Sequence, residues 1–309
     1  KISAIIAMGG TGGHVFPGCN LAKYLVEKNY EVKLTTDKRG RKYLKEFENF
    51  NIIELPSSQI TSKNIFTILL SSIVTFYGLI RSLFFLIFNR PYVVFGMGGY
   101  ASFPICLAAR ILNIKLVIYE NNFIIGKANK YLLPFANIIL VSNKNLEGIS
   151  DKFKYKVFEI GNIIKKEIIE FSKIYSNKAE KNRLNILVLG GSQAAKIFAE
   201  KLPKIFFECY KKGISIKIYQ HCLQKQNQIL ESFYKIHKIP FETFNFSNNL
   251  IKYFSQVNLA ITRSGSSMLA ELTNANIPFI SVPLPSSSDN HQLKNALYYK
   301  TKKYSFLIE

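Results

Sequence analysis

Leu259 to Ala296 reads LAITRSGSSMLAELTNANIPFISVPLPSSSDNHQLKNA, and the fold is decided by how this stretch is parsed. Leu259 to Thr262 is a short apolar run with the character of a strand. It breaks at Arg263-Ser264-Gly265 and gives way to a helical segment whose Met268, Leu269 and Leu272 share one face. Phe279 to Val282 reads as a second strand, which makes the whole a βαβ unit of a parallel sheet. Ser266 and Ser267 stand where the helix begins, and unpaired N–H groups and a positive dipole end there suit a phosphate. Glu271, one turn further in, is within reach of hydroxyls on a sugar attached to that phosphate; complementing the helix dipole is its plainer role. A proline-rich loop then delivers Asp289, His291, Gln292 and Asn295 beside the same crevice. Together these features point to a nucleotide-sugar site.

The same punctuation recurs outward from this unit. Leu184 to Leu189 is a strand, Gly190-Gly191-Ser192-Gln193 a glycine turn, and Ala194 to Lys211 a helix with Phe198, Leu202 and Phe206 on its inward face. Ser192 is placed as N-cap or phosphate ligand. Near the start, Ile2 to Met8 is continuously apolar, as in a parallel strand buried on both faces. It ends in Gly9-Gly10-Thr11-Gly12-Gly13-His14 and a helical pattern to about Lys28. Further strands are predicted at Glu31 to Thr35, Tyr92 to Phe95, Lys115 to Tyr119, Ile138 to Val141, Lys156 to Ile160 and Ile214 to Tyr219. Ligands of open α/β sheets lie beyond the carboxyl ends of the strands, where His14, Gly98, Glu120 and Asn122 are expected to converge. Glycine turns of this kind admit a ligand to the backbone, or serve the turn alone. A histidine inside one is suited to take a proton, although a plain surface histidine is the other reading. Glu167 to Arg183 is charged and lacks strand periodicity, so a boundary near Gly161 divides the chain into residues 1–161 and 162–309.

With 309 residues, 48% of them hydrophobic, the chain can bury two cores. A formal charge of +21 calls for an acidic partner. Nucleic acid is the weaker candidate, because no zinc finger, RNP-type signature or basic arm is present. The four cysteines lack any C-x-x-C spacing, which argues against a disulfide framework or zinc site and for a reducing compartment. The sequence opens inside a strand at Lys1 with no charged-then-apolar leader in view, so no secretory signal is expected, a trimmed start being the other reading. The aspartates are Asp37, Asp151 and Asp289, so there is no Asp-x-Asp metal motif, and neither a metal nor a cofactor is expected.

Leu55 to Tyr119 contains no Asp or Glu but carries Lys63, Arg81, Arg90, Arg110 and Lys115. Within it, Ile65 to Phe88 is almost wholly apolar, interrupted by Ser71, Thr75, Gly78 and Ser82 at helical spacing. Length permits a membrane span, while Arg81 and the strands on either side oppose one. The preferred reading is a helix that packs its small residues on the domain and shows apolar side chains to an anionic membrane surface; an ordinary buried helix is the alternative.

The ordered set GGTGGHVFPG (Gly9 to Gly18), GMGGY (Gly96 to Tyr100), GGSQ (Gly190 to Gln193) and RSG with Glu271 and D-x-H-Q-x-x-N-A resembles the MurG family over nearly the whole chain. The resemblance implies a GT-B glycosyltransferase fold of two doubly wound Rossmann-like domains facing a cleft. It also implies a peripheral enzyme of peptidoglycan biosynthesis at the cytoplasmic face of the cell membrane. The implied reaction is inverting transfer of N-acetylglucosamine from UDP-N-acetylglucosamine, bound mainly by the second domain. Its acceptor is lipid I, the undecaprenyl-pyrophosphoryl-MurNAc-pentapeptide, bound mainly by the first. Carried over by motif, His14 is the candidate general base, and Thr11, Gly12 and Gly13 meet the diphosphate or acceptor. Asn122 and Gln292 meet the donor sugar, Ser192 a phosphate, and Ser266, Ser267, Met268, Leu269, Ala270 and Glu271 the diphosphate and ribose. This chain departs from the pattern at Tyr119 to Asn122, where His-Glu-Gln-Asn is usual, at Ala194 and Lys165 in place of a glycine and an arginine, and at Ser247, where an aliphatic residue packs on uracil. The family continues beyond Glu309 with a helix, so a truncated end is expected. A UDP-sugar 2-epimerase of the same fold and an inactive nucleotide-sugar binding protein are the alternatives.

Overall fold

The computed structural model describes residues 1–58, 64–174, 182–190, 194–245, 250–287 and 290–309. Ser192, Ser247 and Asp289 lie outside the described residues. The chain forms two compact units, Lys1–Ile164 and Lys165–Glu309.

The first unit runs β1 (Ser3–Ala7), α1 (Gly12–Glu27), β2 (Glu31–Thr36), α2 (Lys38–Arg41), β3 (Asn51–Glu54), α3 (Ile65–Phe88), β4 (Val93–Gly96), α4 (Phe103–Ile111), β5 (Lys115–Glu120), α5 (Lys127–Leu132), β6 (Ile138–Val141) and β7 (Val157–Glu159). Its strands form one parallel sheet in the order β3-β2-β1-β4-β5-β6-β7. The second unit runs α6 (Lys166–Ile174), β8 (Leu184–Leu189), α7 (Ala194–Lys211), β9 (Ile216–His221), α8 (Asn227–Ile236), β10 (Phe241–Phe244), α9 (Ile251–Phe254), β11 (Leu259–Thr262), α10 (Ser266–Asn274), β12 (Phe279–Ser281), α11 (His291–Thr301) and β13 (Ser305–Leu307). Its parallel sheet has the order β10-β9-β8-β11-β12-β13.

Strand order reverses between β1 and β4 in the first sheet and between β8 and β11 in the second. In open α/β sheets the crevice beyond the strands opens at such reversals. The glycine turns after β1 and β4 and the Arg263-Ser264-Gly265 break after β11 fall at these points; Gly191 to Gln193 lie outside the described residues. The central strands are buried on both faces, with Ile5, Ile6, Leu187 and Val188 inaccessible, as continuous apolar runs require. Two edge strands, β3 and β13, escaped the pattern reading because NIIE and SFL are too short and too mixed to show a period.

α3 is an inside-out helix. Gly78, Ser82 and Leu86 face the protein, and Gly78 lies against the Pro56 carbonyl and the Pro104 ring, where a larger side chain would collide. The bulky residues point outward, with Phe66 77% and Phe88 81% exposed. By length and composition α3 is able to cross a membrane, and 11% of its most apolar stretch is buried. The alternative of an ordinary buried helix is therefore set aside: Gly78, Ser82 and Leu86 take the contact face with Leu79, Leu83 and Phe85 packed beside them, while most of the other large apolar side chains stay exposed.

Candidate functional site

The first cluster forms where β1 ends. Thr11 is the N-cap of α1 but makes no side-chain cap bond, and its carbonyl receives the backbone N–H groups of His14 and Val15, both at 3.0 Å. His14 therefore lies in the first turn of a helix rather than in a loop. Its Nδ1 is 3.0 Å from the Met97 carbonyl oxygen. A carbonyl only accepts, so Nδ1 carries the proton and Nε2 is the basic nitrogen of the ring. Glycine encloses the imidazole: a Cβ on Gly9 would lie 2.8 Å from His14 Cδ2, and one on Gly98 3.0 Å from Cε1. Gly98 and Gly99 also have φ of +87° and +79°, which other residues rarely adopt. These glycines help make the seat for His14, whereas in the Gly9 to Gly13 turn a Cβ on Gly13 would meet nothing.

The end of β5 braces this seat. Asn121 Nδ2 donates to the Gly13 carbonyl at 3.0 Å, tying β5 to the start of α1. Glu120 is buried and accepts four hydrogen bonds, from Asn122 N and Nδ2, Gly126 N and Asn129 Nδ2, at 2.9 to 3.1 Å. It is scaffold, satisfied by its own domain. Asn122 Nδ2 also donates to Asn121 Oδ1 at 3.1 Å. The Tyr119 hydroxyl donates to Gly161 O at 3.2 Å and accepts from Ile163 N at 3.0 Å, so the unusual tyrosine anchors the chain as it leaves the first unit.

The second cluster forms where β11 ends. α10 begins after Gly265 with neither a side-chain cap bond nor an acidic residue in its first turn, which leaves its N-terminal dipole uncompensated there. Ser266 is buried at the helix start, while Ser267, Met268 and Ala270 are half-buried. Leu269 is fully buried and its N–H donates to Gly265 O within the helix, so its side chain packs the core. Glu271 is 9% exposed, and burial pushes its carboxyl up to about 7, opposed by the attraction of Lys165. Gln292 accepts the Leu284 N–H at 2.9 Å and so pins the proline-rich loop; Asn295, buried, donates to Ser264 O.

Sequence reasoning read Arg263 and Ser264 only as part of the RSG break and did not single out Ser281 and Ser287. Arg263 Nη1 bonds the carbonyls of Val282 and Pro283 at 3.0 and 2.9 Å, but its Nε and the three serine hydroxyls are buried without a partner. Unpaired buried polar atoms are costly; Arg263 and Ser264 follow β11, Ser281 ends β12 and Ser287 lies in the loop after it. Only burial identifies them. His221 closes β9 nearby; desolvation lowers its pKa, and its bond to the Gly190 backbone counters this. Among the described residues, no group of three or more His, Cys, Asp or Glu is placed to hold a metal ion.

Two doubly wound domains with glycine turns and uncapped helix starts at their switch points define the GT-B class of glycosyltransferases. The N-terminal domain model of glycosyltransferase family 28 matches residues 4–141, and the C-terminal domain model matches residues 185–309. The chain belongs to glycosyltransferase family 28. It is 36% identical, over 98% of its length and 83% of the relative's, to the UDP-N-acetylglucosamine--N-acetylmuramyl-(pentapeptide) pyrophosphoryl-undecaprenol N-acetylglucosamine transferase of Pelagibacter ubique. It is 33% identical to the protein of the same name from Rickettsia canadensis, over 99% of this chain and 85% of that one. The crystal structure of Acinetobacter baumannii MurG superposes with a TM-score of 0.75 at 24% identity, covering 100% of this chain and 85% of that one. A putative UDP-N-acetylglucosamine 2-epimerase from Listeria monocytogenes reaches 0.63 at 14% identity, covering 100% and 84%, a likeness of fold alone.

Proposed function

We propose that this glycosyltransferase moves N-acetylglucosamine from UDP-N-acetylglucosamine to the 4-hydroxyl of the muramyl sugar of lipid I, giving lipid II. Relatives named for that transfer, matching almost the whole chain, support this assignment over the epimerase. The observation that carries the mechanism is His14, held by Met97 O in the tautomer that keeps Nε2 basic. His14 takes the proton of the acceptor hydroxyl as that oxygen attacks the anomeric carbon, and UDP leaves from the opposite face with inversion. Negative charge growing on the leaving diphosphate is met by the uncapped start of α10, while Glu271 accepts hydrogen bonds from the ribose hydroxyls. Gln292 and Asn122 contact the sugar, and Lys165 balances Glu271. Residues 1–161 are assigned the acceptor and 162–309 the donor.

α3 serves attachment rather than spanning. A span would carry β4 to the opposite side of a bilayer from β3, yet both strands belong to one sheet. Laid on the surface, its outward Phe, Leu and Ile side chains enter the interface, and the cationic chain favours anionic lipid. On this reading the enzyme is a peripheral membrane protein, and the family resemblance implies the cytoplasmic face. UDP release from UDP-N-acetylglucosamine, measured with and without a short-chain lipid I analogue, tests the reaction. Acceptor-dependent release is expected; C2 inversion without acceptor supports the epimerase, and donor binding without release supports an inactive binding protein. Activity is expected to survive a chelator, and loss restored by added magnesium counts against this mechanism.

A further inference from the structure

We infer that Arg39 binds the diphosphate of the lipid-linked acceptor, a role that rests on the acceptor assigned above. Asp37, the buried N-cap of α2, turns the guanidinium toward the glycine turn: Arg39 Nε lies 2.8 Å and Nη2 2.7 Å from one oxygen, Asp37 Oδ2. The other oxygen, Oδ1, accepts the backbone N–H groups of Arg39 and Gly40 at 3.2 and 3.0 Å. The pair lies against Gly10, where a Cβ would come within 2.8 Å of Asp37 Oδ1 and 2.9 Å of Arg39 Nε, so Gly10 is glycine to admit it. The Arg39 side chain is 46% exposed, and two of its five N–H donors are directed at Asp37, which leaves a planar fork for an anion.

Its position in the domain matches this ligand. On one side is the turn that leads into His14. On the other, Ser57 Oγ donates to Asp37 Oδ2 at 3.2 Å, and the next residue, Ser58, donates to Ser71 Oγ of α3 at 3.1 Å. Arg39 thus stands between the histidine that meets the acceptor's sugar and the helix that meets its lipid. A diphosphate joins those two parts of the acceptor. Exposed Lys38, Arg41 and Lys42 add positive charge on the same turn.

The test compares wild type with Arg39→Gln and Arg39→Lys in kinetics with a short-chain lipid I analogue, and in calorimetric titration with inorganic pyrophosphate at saturating UDP. For Arg39→Gln the acceptor KM is expected to rise about 10- to 100-fold and pyrophosphate affinity to fall similarly. Arg39→Lys should lose less, with kcat, donor KM and Tm near wild type in both. An unchanged acceptor KM and pyrophosphate affinity in Arg39→Gln overturns the inference while leaving the reaction intact. Equal rises in both substrates' KM with a lowered Tm make the pair structural and also overturn it. Weaker binding of Arg39→Gln to phosphatidylglycerol vesicles without acceptor assigns Arg39 to the lipid surface instead. If wild type transfers nothing, the reaction falls, and the pyrophosphate titration decides this site alone.

Discussion

The starts of α1 and α10 both lie just beyond a central strand beside a switch point, and they are finished in different ways. Around α1 the groups nearest His14 are paired within the domain: Met97 O holds the imidazole, Asn121 holds Gly13, and four donors satisfy Glu120. Around α10, Arg263 Nε and the hydroxyls of Ser264, Ser281 and Ser287 are buried without partners, and Glu271 bears a large desolvation penalty. The first domain also has orphaned buried atoms, the hydroxyls of Thr35 and Thr36 at the end of β2 and Asn129 Oδ1, so the contrast is one of degree. The contrast separates two tasks. A base must be aimed before the substrate arrives, so its surroundings are complete. A binding pocket that leaves hydrogen bonds unmade gains them from its ligand.

The contrast is broken most directly at His14. His14→Ala is expected to lower kcat by roughly 10²- to 10⁴-fold while leaving donor binding intact. Near-normal turnover removes His14 from the mechanism, and weakened donor binding means the first cluster is not specialised for chemistry. On the other side, Glu271→Gln keeps the shape and removes the charge, so the donor KM should rise about tenfold with a smaller change in kcat. An unchanged donor KM leaves Glu271 as a dipole partner only.

Attachment sharpens the contrast by assigning the membrane to the first domain. Replacing Phe66 and Phe76 on the outward face of α3 with glutamate should weaken binding to phosphatidylglycerol vesicles by about tenfold or more. Turnover of a water-soluble acceptor analogue should stay within twofold, since this face carries no reacting group. Vesicle binding that persists places the membrane contact elsewhere.

The smallest effect is thermal. The Glu271 carboxyl titrates at about 7 in the fold against 4.5 as its ordinary value. A raised carboxyl pKa means the neutral form is the one the fold prefers. Its contribution is complete below pH 4.5 and is lost as the pH climbs through about 7, a difference of roughly 3 kcal/mol. Glu271→Gln escapes that loss, so at pH 8 the unliganded variant should melt a few degrees higher than wild type, and at pH 4.5 the two should coincide. Hydrogen bonds from a donor's hydroxyls favour the charged form, so the wild-type donor KM should fall as pH rises through about 7. A variant that melts lower at pH 8 shows that attraction to Lys165 outweighs burial.

Much of the site was legible because glycine turns, serine-rich helix starts and the His-Gln pair after a proline loop follow from local chemistry. The role of the glycines was not. GGTGG and GMGG read as openings for a ligand or as turns alone; in the fold Gly9, Gly98 and Gly99 pack against one another's backbone and the His14 ring. Glu120 and Leu269 read as site residues from their place in motifs, and packing turned both inward. Arg263 and Ser264 were read only as part of the RSG break, and Ser281 and Ser287 were not singled out, since an arginine or serine at a strand end is ordinary until its burial is known.

By itself, the sequence determined the two doubly wound units and the chemistry gathered at their strand ends. Those follow from apolar runs of strand length, helical spacing and backbone freedom at glycine, all properties of neighbours along the chain. Tertiary structure alone decided which nitrogen of His14 holds the proton, which polar atoms wait unpaired and which face of α3 is turned outward. These depend on groups tens of residues apart, such as Met97 against His14 and Pro56 against Gly78, that only the packed fold brings together.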